Sequence, residues 1–499
     1  MATNLATPGV YIEEKSSFGN SLVSVPTAVP AFVGYTQKAL SGSQDLTNTP
    51  TKIRSFGEYV ELFGGPAETK FDIASTSDDS NISYELKLLK STRFLMYDSL
   101  RLYFSNGGSD CFIVSVGNYE NNITQKTLIG SETGGGISCL EKYLEPTLLV
   151  VPDAISLAEN RCLAVQKEML SHCGLEMKNR FAILDVPSGS NSDDKDGINR
   201  FREGIGVNNL SWGAAYYPFL NTTIVSPSEI DFNRINNLEG LVEILNLEVD
   251  LQLSNGDMSS ARAEGIKQEI NKILDTTEAE LIKTLQSTLK VVSSTYNAIL
   301  SDIADALNIL PPSPALAGAY SMVDDTINVA KSPANVSLGS VVSPFININS
   351  QDQEDLNLPL NGKAVNAIRS FTGKGTLVWG ARTLDGNSND FRYVSVRRTM
   401  TFIEQSIKSA AEAYVFSPNN ATTWSTLRAS VYNFLNNQWS SGILVGSSPD
   451  EAFDISIGMG TTMTPNDILE GILKMTVKVA IVRPAEFIVI TFEQKQQQS

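Results

Sequence analysis

The sequence predicts a mixed α+β protein, with an α/β layer set among several domains, on three observations. Residues 144 to 217 alternate apolar strands with a helix, residues 235 to 310 switch to a helical period, and residues 476 to 493 close the chain with a β-rich apolar stretch. At 499 residues and 42% hydrophobic the chain can bury several cores, and its length alone suggests about three domains.

Near the start, TPGVYIEE (7 to 14) places Val10 and Ile12 on one face and Tyr11 and Glu13 on the other, a short strand behind a flexible leader. VPTAVPAFVGYT (25 to 36) carries prolines that exclude a helix and ends as a strand. Residues 51 to 65 predict a short helix with Phe56, Tyr59, Val60 and Phe63 on its apolar face, ended by Gly64 and Gly65. From 80 to 108, Ile82, Leu86, Leu89, Met96, Leu100 and Tyr103 recur at helical spacing, and the strand CFIVSV follows.

TLLVV (147 to 151) and FAILDV (181 to 186) are continuous apolar strands, and AAYYPFL ends the series. The helix between the first two turns Leu157, Cys162, Val165, Met169 and Leu170 inward, which predicts a parallel sheet. Leu238, Leu241 and Leu245 then open one amphipathic run, and after SNGDMSS a second run carries Ile266, Ile270, Ile273, Leu281, Leu285, Leu289, Val292, Tyr296, Ile299 and Ile303. This spacing predicts an inserted, protruding helical hairpin. Residues 231 to 310 hold 13 acidic and 6 basic groups, as a solvated outer face would.

LPPSPALAGAY (310 to 320) reads as a proline-stiffened loop into a glycine turn, 331 to 345 as extended chain, and TLVWGA within 360 to 384 as a strand. Two helices follow, one presenting Val396, Met400, Ile403, Ile407, Ala411 and Tyr414, the other Trp424, Leu427, Val431, Phe434 and Leu435. After a strand near Phe453 comes the closing stretch, in which Lys478, Arg483, Pro484 and Glu486 interrupt the apolar run. No segment reaches the ~18 residues of a membrane span. It reads as two short strands buried on both faces and joined at Pro484, so that each needs partners on both edges.

The net charge of −17 argues against a nucleic-acid or anionic-membrane surface. Cys111, Cys139, Cys162 and Cys173 lie far apart, with no CxxC pair and no export signal in MATNLATPG, which fits a reducing compartment and small buried side chains. A single histidine, His172, excludes a multi-histidine metal site. Beside Cys173 at a helix end, it reads as a C-terminal cap rather than as a base. SFTGKGT (370 to 376) lacks the glycine a phosphate loop needs, and TGGGI (133 to 137) lacks strand-to-helix context. Ser192, Asp194, Asp196, Gly197 and Glu203 stand at calcium-loop spacing. The first ligand would be a serine, Asn199 replaces the usual apolar anchor and a strand precedes the loop, so an acidic surface loop is the better reading. No catalytic, cofactor-binding or metal residue is assigned.

Between 363 and 398 stand seven basic residues, Lys363, Arg369, Lys374, Arg382, Arg392, Arg397 and Arg398, against Asp385 and Asp390 only. Internal pairing with carboxylates and attraction to an acidic partner or a neighbouring copy are both open to such a cluster.

At these residues a resemblance takes hold. TPGVYIEE, TAVPAFVGYT, FSNGGSDCFIV, LLVVPDA, AAYYPFL, KSPAN, VNAIRSF, VWGARTL, FRYVSVRRTMTFIEQSI, VFSPNN, EAFDI and RPAEFIVITF, in this order, resemble the contractile tail sheath proteins of phages and related injection systems. The resemblance implies a structural subunit, neither an enzyme nor a cofactor protein. It implies hexameric rings, six subunits each, stacked helically around an inner tube, built extended and shortening to drive the tube through an envelope.

It also implies an organisation: 1–40 as N-terminal arm and first strands of an inner domain, 41–230 as a middle α/β domain, 231–310 as the inserted outer hairpin, and 311–499 as the C-terminal inner sheath domain ending in a strand-donating arm. Pro8, Gly9, Val10, Tyr11 and Ile12, with Phe487, Ile488, Val489, Ile490 and Phe492, would be the subunit-exchange arms. Lys363, Arg369, Lys374, Arg397 and Arg398 would be tube or lattice contacts. The implied partners are further copies of the chain, the tube protein, and baseplate and terminator or cap proteins, without nucleic acid or membrane insertion. Assembly would be cytoplasmic, into a phage tail, tailocin or injection particle. The rival readings are a baseplate or tube component and, further off, an α/β enzyme built on the 144 to 217 layer.

Overall fold

The computed structural model describes residues 24–76, 81–131 and 134–489. The arm residues Pro8, Gly9, Val10, Tyr11, Ile12, Ile490 and Phe492 lie outside the described residues. The chain divides into two compact units. One takes in Phe402–Val482 with the described residues up to Val25, the other Pro26–Thr401 with the segment from Arg483 onward.

The larger unit is built on a nine-stranded sheet in the order 336–337, 375–378, 365–371, 213–217, 181–185, 148–150, 30–34, 111–115 and 51–53. The six strands from 365–371 to 111–115 run parallel, and the flanking strands are antiparallel. Pro30–Gly34, Cys111–Ser115, Phe181–Asp185 and Gly213–Tyr217 are buried at every position. That is why they read as unbroken apolar runs. Their period of two sorts side chains between two cores. Phe32, Ile113, Leu148, Ile183 and Tyr216 face one, and Val33, Val114, Leu149, Leu184 and Tyr217 face the other.

Several expectations are corrected. The helix expected over 80 to 108 is a strand, Tyr84–Leu88, paired with Phe71–Ser75, and the helix begins only at Met96. Ile82, Leu86 and Leu89 fit a helical period, but Tyr84, Leu86 and Leu88 also alternate, and the cross-strand partner decides between them. The expected glycine turn near 318 is a buried helix, Ser313–Thr326, started by prolines whose missing N–H groups cost nothing in a first turn. Gly318 lets this helix approach the Met96–Ser105 helix closely: a Cβ there would stand 2.5 Å from the Tyr103 carbonyl oxygen.

The 231 to 310 region holds four helices rather than a hairpin: Leu238–Ser254, Ser260–Asn271, Ala279–Val292 and Ser294–Leu307. Their apolar faces merge with the sheet's core through Leu241, Leu285, Leu289, Ile299 and Ile303. Buried Glu248 fastens the last helix at its start, accepting hydrogen bonds from Ser294 N (3.0 Å), Ser294 Oγ (2.7 Å), Thr295 N (3.3 Å) and the Ser293 hydroxyl. A carboxylate against free N–H groups at the positive end of a helix is stabilising. Glu248→Ala is expected to cost about 1–3 kcal/mol, because it strands buried donors. Thermal denaturation of the monomer checks this, and an unchanged melting temperature would remove the cap from the account.

The Phe402–Val482 unit centres on the Ala421–Ser440 helix, whose Leu427, Val431, Phe434 and Leu435 are buried. Beside it lies a two-stranded antiparallel sheet, Phe453–Ile457 with Met475–Val479. Tyr432 meets Phe453 edge-on at 5.3 Å between ring centroids.

Candidate subunit-contact surfaces

Open α/β sheets hold ligands where strand order reverses, outside the carboxyl ends of the strands. Here that point is Pro30–Gly34, flanked by strands 111–115 and 148–150. It is filled. Asp153 accepts hydrogen bonds from Tyr35 N (2.7 Å) and Leu95 N (2.6 Å). A Cβ on Gly34 would meet Asp153 Oδ2 at 2.5 Å and Met96 Cε at 2.8 Å. Burial pushes the Asp153 carboxyl up to about 6, against those backbone hydrogen bonds. Asp185, at the end of its strand, is likewise closed over. It accepts from Ser313 N (2.8 Å) and Oγ (2.5 Å) at the start of the Ser313–Thr326 helix, and burial pushes it up to about 7.

The other chemical candidates resolve in the same way. His172 is fully buried, in a π-helical segment, His172–Met177, that follows the Glu159–Ser171 helix. Arg180 Nη1, an obligate donor, points at His172 Nε2 (3.0 Å), so the ring proton sits on Nδ1 and is donated to Glu176 (2.9 Å). His172 thus stands at the C-cap of the Glu159–Ser171 helix, its backbone N–H on the Glu168 and Met169 carbonyls, while its ring joins a polar bracket with Arg180 and Glu176. Glu141, His172 and Glu176 are close enough to ligate one ion. A metal on Nδ1 would need the proton on Nε2, facing the guanidinium donor, so the residues present do not suit one. Burial and Arg180 lower the His172 pKa to about 3, and burial raises the Cys173 thiol to about 12, which leaves neither a base nor a thiolate. In the candidate calcium loop, Asp194 is taken by Arg200 (3.0 and 2.5 Å) and Asp196 by Asn199 (3.2 Å), and they do not converge on one point.

Four of the five candidate tube or lattice contacts are engaged inside the larger unit. Lys363 is buried, with its ammonium on the Arg202 carbonyl. Arg369 donates to Gln353 (2.7 Å). Arg397 lies between the rings of Trp212 (4.2 Å) and Phe391 (4.3 Å). Arg398 pairs with Asp324 (3.1 and 2.6 Å), donates to the Thr27 carbonyl (2.9 Å) and covers Tyr320. Lys374 stands exposed at the turn between strands 365–371 and 375–378.

What remains open is strand edge. Among the described residues, no third strand pairs with Phe453–Ile457 or Met475–Val479. A two-stranded ribbon is marginal in water, and its outer N–H and C=O groups await partners. Around it Met459, Leu469 and Val445 are exposed. The closing stretch is thus half-buried rather than buried on both faces: strand 475–479 alternates, and Phe487, Ile488 and Val489 stand 66%, 78% and 89% exposed without pairing.

The chain leaves the smaller unit after Val482 N bonds Ile443 O (3.2 Å), and it is next held at Glu486. That carboxylate accepts from Arg382 (2.9 and 2.6 Å), Asn357 Nδ2 (2.8 Å) and Tyr393 Oη (2.9 Å). Burial alone would raise the Glu486 pKa, but the bonds from Arg382 and Asn357 bring it below its ordinary value. The pairing therefore stabilises above the unfolded carboxyl pKa and is lost as pH falls through the folded one. The sequence offered only a hint of this cluster, a single acid inside an apolar run.

Residues 387–495 match the family model described as phage tail sheath C-terminal domain. Over its whole length the chain is similar to the sheath of an extracellular contractile injection system, PVC, in the contracted state, at 26% identity, with 99% of each chain covered and a TM-score of 0.60. It is similar at 26% identity to the anti-feeding prophage helical sheath in the contracted state, covering 98% of this chain and 99% of that one, with a TM-score of 0.60. A chain of the 6-fold symmetrised anti-feeding prophage baseplate matches at 26% identity and a TM-score of 0.59, covering 98% of this chain and 99% of that one. No curated protein matches the sequence significantly.

Proposed function

We propose that this chain, a member of the contractile tail sheath family, polymerises as stacked six-subunit rings around an inner tube and shortens to drive that tube through a target envelope. The observation that carries this reading is whole-chain likeness to two sheaths in the contracted state, at 26% identity in each case. The ribbon at 453–457 and 475–479, without a third strand among the described residues, and the exposed Phe487, Ile488 and Val489 supply what a lattice of exchanged strands needs, an edge to add to and an apolar segment to add. Backbone bonds made by added strands are directional. They persist while whole subunits move, so the lattice rearranges without falling apart.

The energy of shortening is stored in the extended lattice, and the filled switch point fits a machine that turns over no nucleotide. Further copies of the chain, the tube, a baseplate and a cap are its partners, in a particle put together in the cytoplasm. Of the five candidate contacts Lys363, Arg369, Lys374, Arg397 and Arg398, Lys374 is the one we assign to tube or lattice contact, since it alone of them stands exposed at a turn. Negative-stain electron microscopy of the purified chain tests the reading. Wide hollow cylinders with sixfold end views are expected, whereas narrow tubes, flat plates or lasting monomers would overturn it.

A further inference from the structure

The segment beyond Val482 is attached in an uneven way. Among the described residues, every hydrogen bond recorded for 483–489 is made by the Glu486 carboxylate, and the side chains of Arg483, Ala485, Phe487, Ile488 and Val489 are exposed. The receptor is built far more firmly than the segment it receives. Arg382 is 2% exposed, and its backbone N–H and carbonyl are both held by Asn366, at 2.7 and 2.8 Å, from inside the sheet. Arg382 Nη1 donates to the Gly386 carbonyl (3.2 Å), which leaves Nε and Nη2 as a fork aimed at one carboxylate. Tyr393 packs beside the guanidinium at 5.8 Å and adds its hydroxyl. An exposed segment contributes little to a core, so a pre-set buried fork has no evident purpose in packing the larger unit.

We infer that Arg382, Tyr393 and Asn357 form a carboxylate socket that sets the root of the terminal arm, holding it through Glu486 so that Phe487, Ile488 and Val489 are offered unpaired to a second copy of the chain. This rests on the strand-exchange reading above. The occupant is a second copy because the segment is an exposed apolar stretch of the β-branched and aromatic residues that suit a strand, unpaired among the described residues, and the same chain carries a two-stranded ribbon with no third strand among them. Fixing the root removes chain entropy before assembly, so the socket acts on how readily subunits join rather than on whether one subunit folds.

The test compares two substituted chains and one truncated chain with wild type by pelleting and electron microscopy, after thermal melting and gel filtration confirm a folded monomer. Glu486→Gln, which keeps a hydrogen-bonding side chain against Arg382 but removes the counter-charge, is expected to lower the monomer's melting temperature while leaving it folded, and to raise the critical concentration for rods at least tenfold. Asn357→Ala, which leaves the arginine pair in place, is expected to raise it about two- to fivefold, and it carries the test if Glu486→Gln does not fold. Deletion of residues 487–499 is the control. If the deletion abolishes rods while both substitutions keep the wild-type critical concentration, the socket is overturned and strand exchange stands. If the deletion forms normal rods, strand exchange falls and the socket with it.

Discussion

Deletion of residues 487–499 is expected to leave a folded monomer that forms no rods. Of the residues lost, Phe487, Ile488 and Val489 are exposed and contribute almost nothing to the subunit's own packing. Gel filtration and the melting curve should match wild type. In the lattice each donated strand would make several backbone bonds and bury its apolar side chains at every junction, and that loss repeats at each subunit added. Rods of normal length by electron microscopy would remove the terminal arm from the mechanism.

The second large effect is expected at Arg398. Its ion pair with Asp324 is almost fully enclosed, the two side chains being 4% and 2% exposed. Arg398→Ala leaves the Asp324 carboxylate buried without a counter-charge and removes the bond to the Thr27 carbonyl and the contact with the Tyr320 ring. Breaking one side of a buried pair costs about 3–5 kcal/mol, far above the worth of a surface pair. Thermal denaturation of the monomer reads it, and a loss below about 1 kcal/mol would show that water or another cation reaches Asp324. A tube-contact role for Arg398 predicts the opposite pattern, a stable monomer with impaired assembly, so one protein preparation separates the two.

The parallel sheet was legible because its strands are buried on both faces, so TLLVV and FAILDV read as near-continuous apolar runs whose polar residues, Thr147 and Asp185, fall at or beyond the strand ends. Residues 84 to 88 were not, because Leu86 fits both a helical and an alternating pattern and only the partner strand 71–75 decides. The Ser313–Thr326 helix was hidden by its prolines, which mark both loops and first helical turns. The four helices of 238–307 were visible as apolar periodicity and SNGDMSS marked the first break, but the two breaks within the second run were not visible, nor was their union with the sheet's core. As to contact surfaces, the apolar strand after Pro484 was plain. The socket was not, because Glu486 meets Asn357, Arg382 and Tyr393 across separations of 129, 104 and 93 residues. The basic stretch left internal pairing and an outward field both open, and Arg382, Arg397 and Arg398 fall to the first, as interior groups whose partners lie elsewhere in the chain.

The sealed end of strand 30–34 has a mechanical meaning. Related sheet architectures keep a hollow there for a ligand, and a hollow is the place where a body yields under load. With Asp153 and Met96 pressed against Gly34, this subunit has little to compress at that point. A displacement imposed there is passed on rather than absorbed, as in a gear tooth, and in the stack of rings proposed above that stiffness would set how much of a stroke survives from one ring to the next.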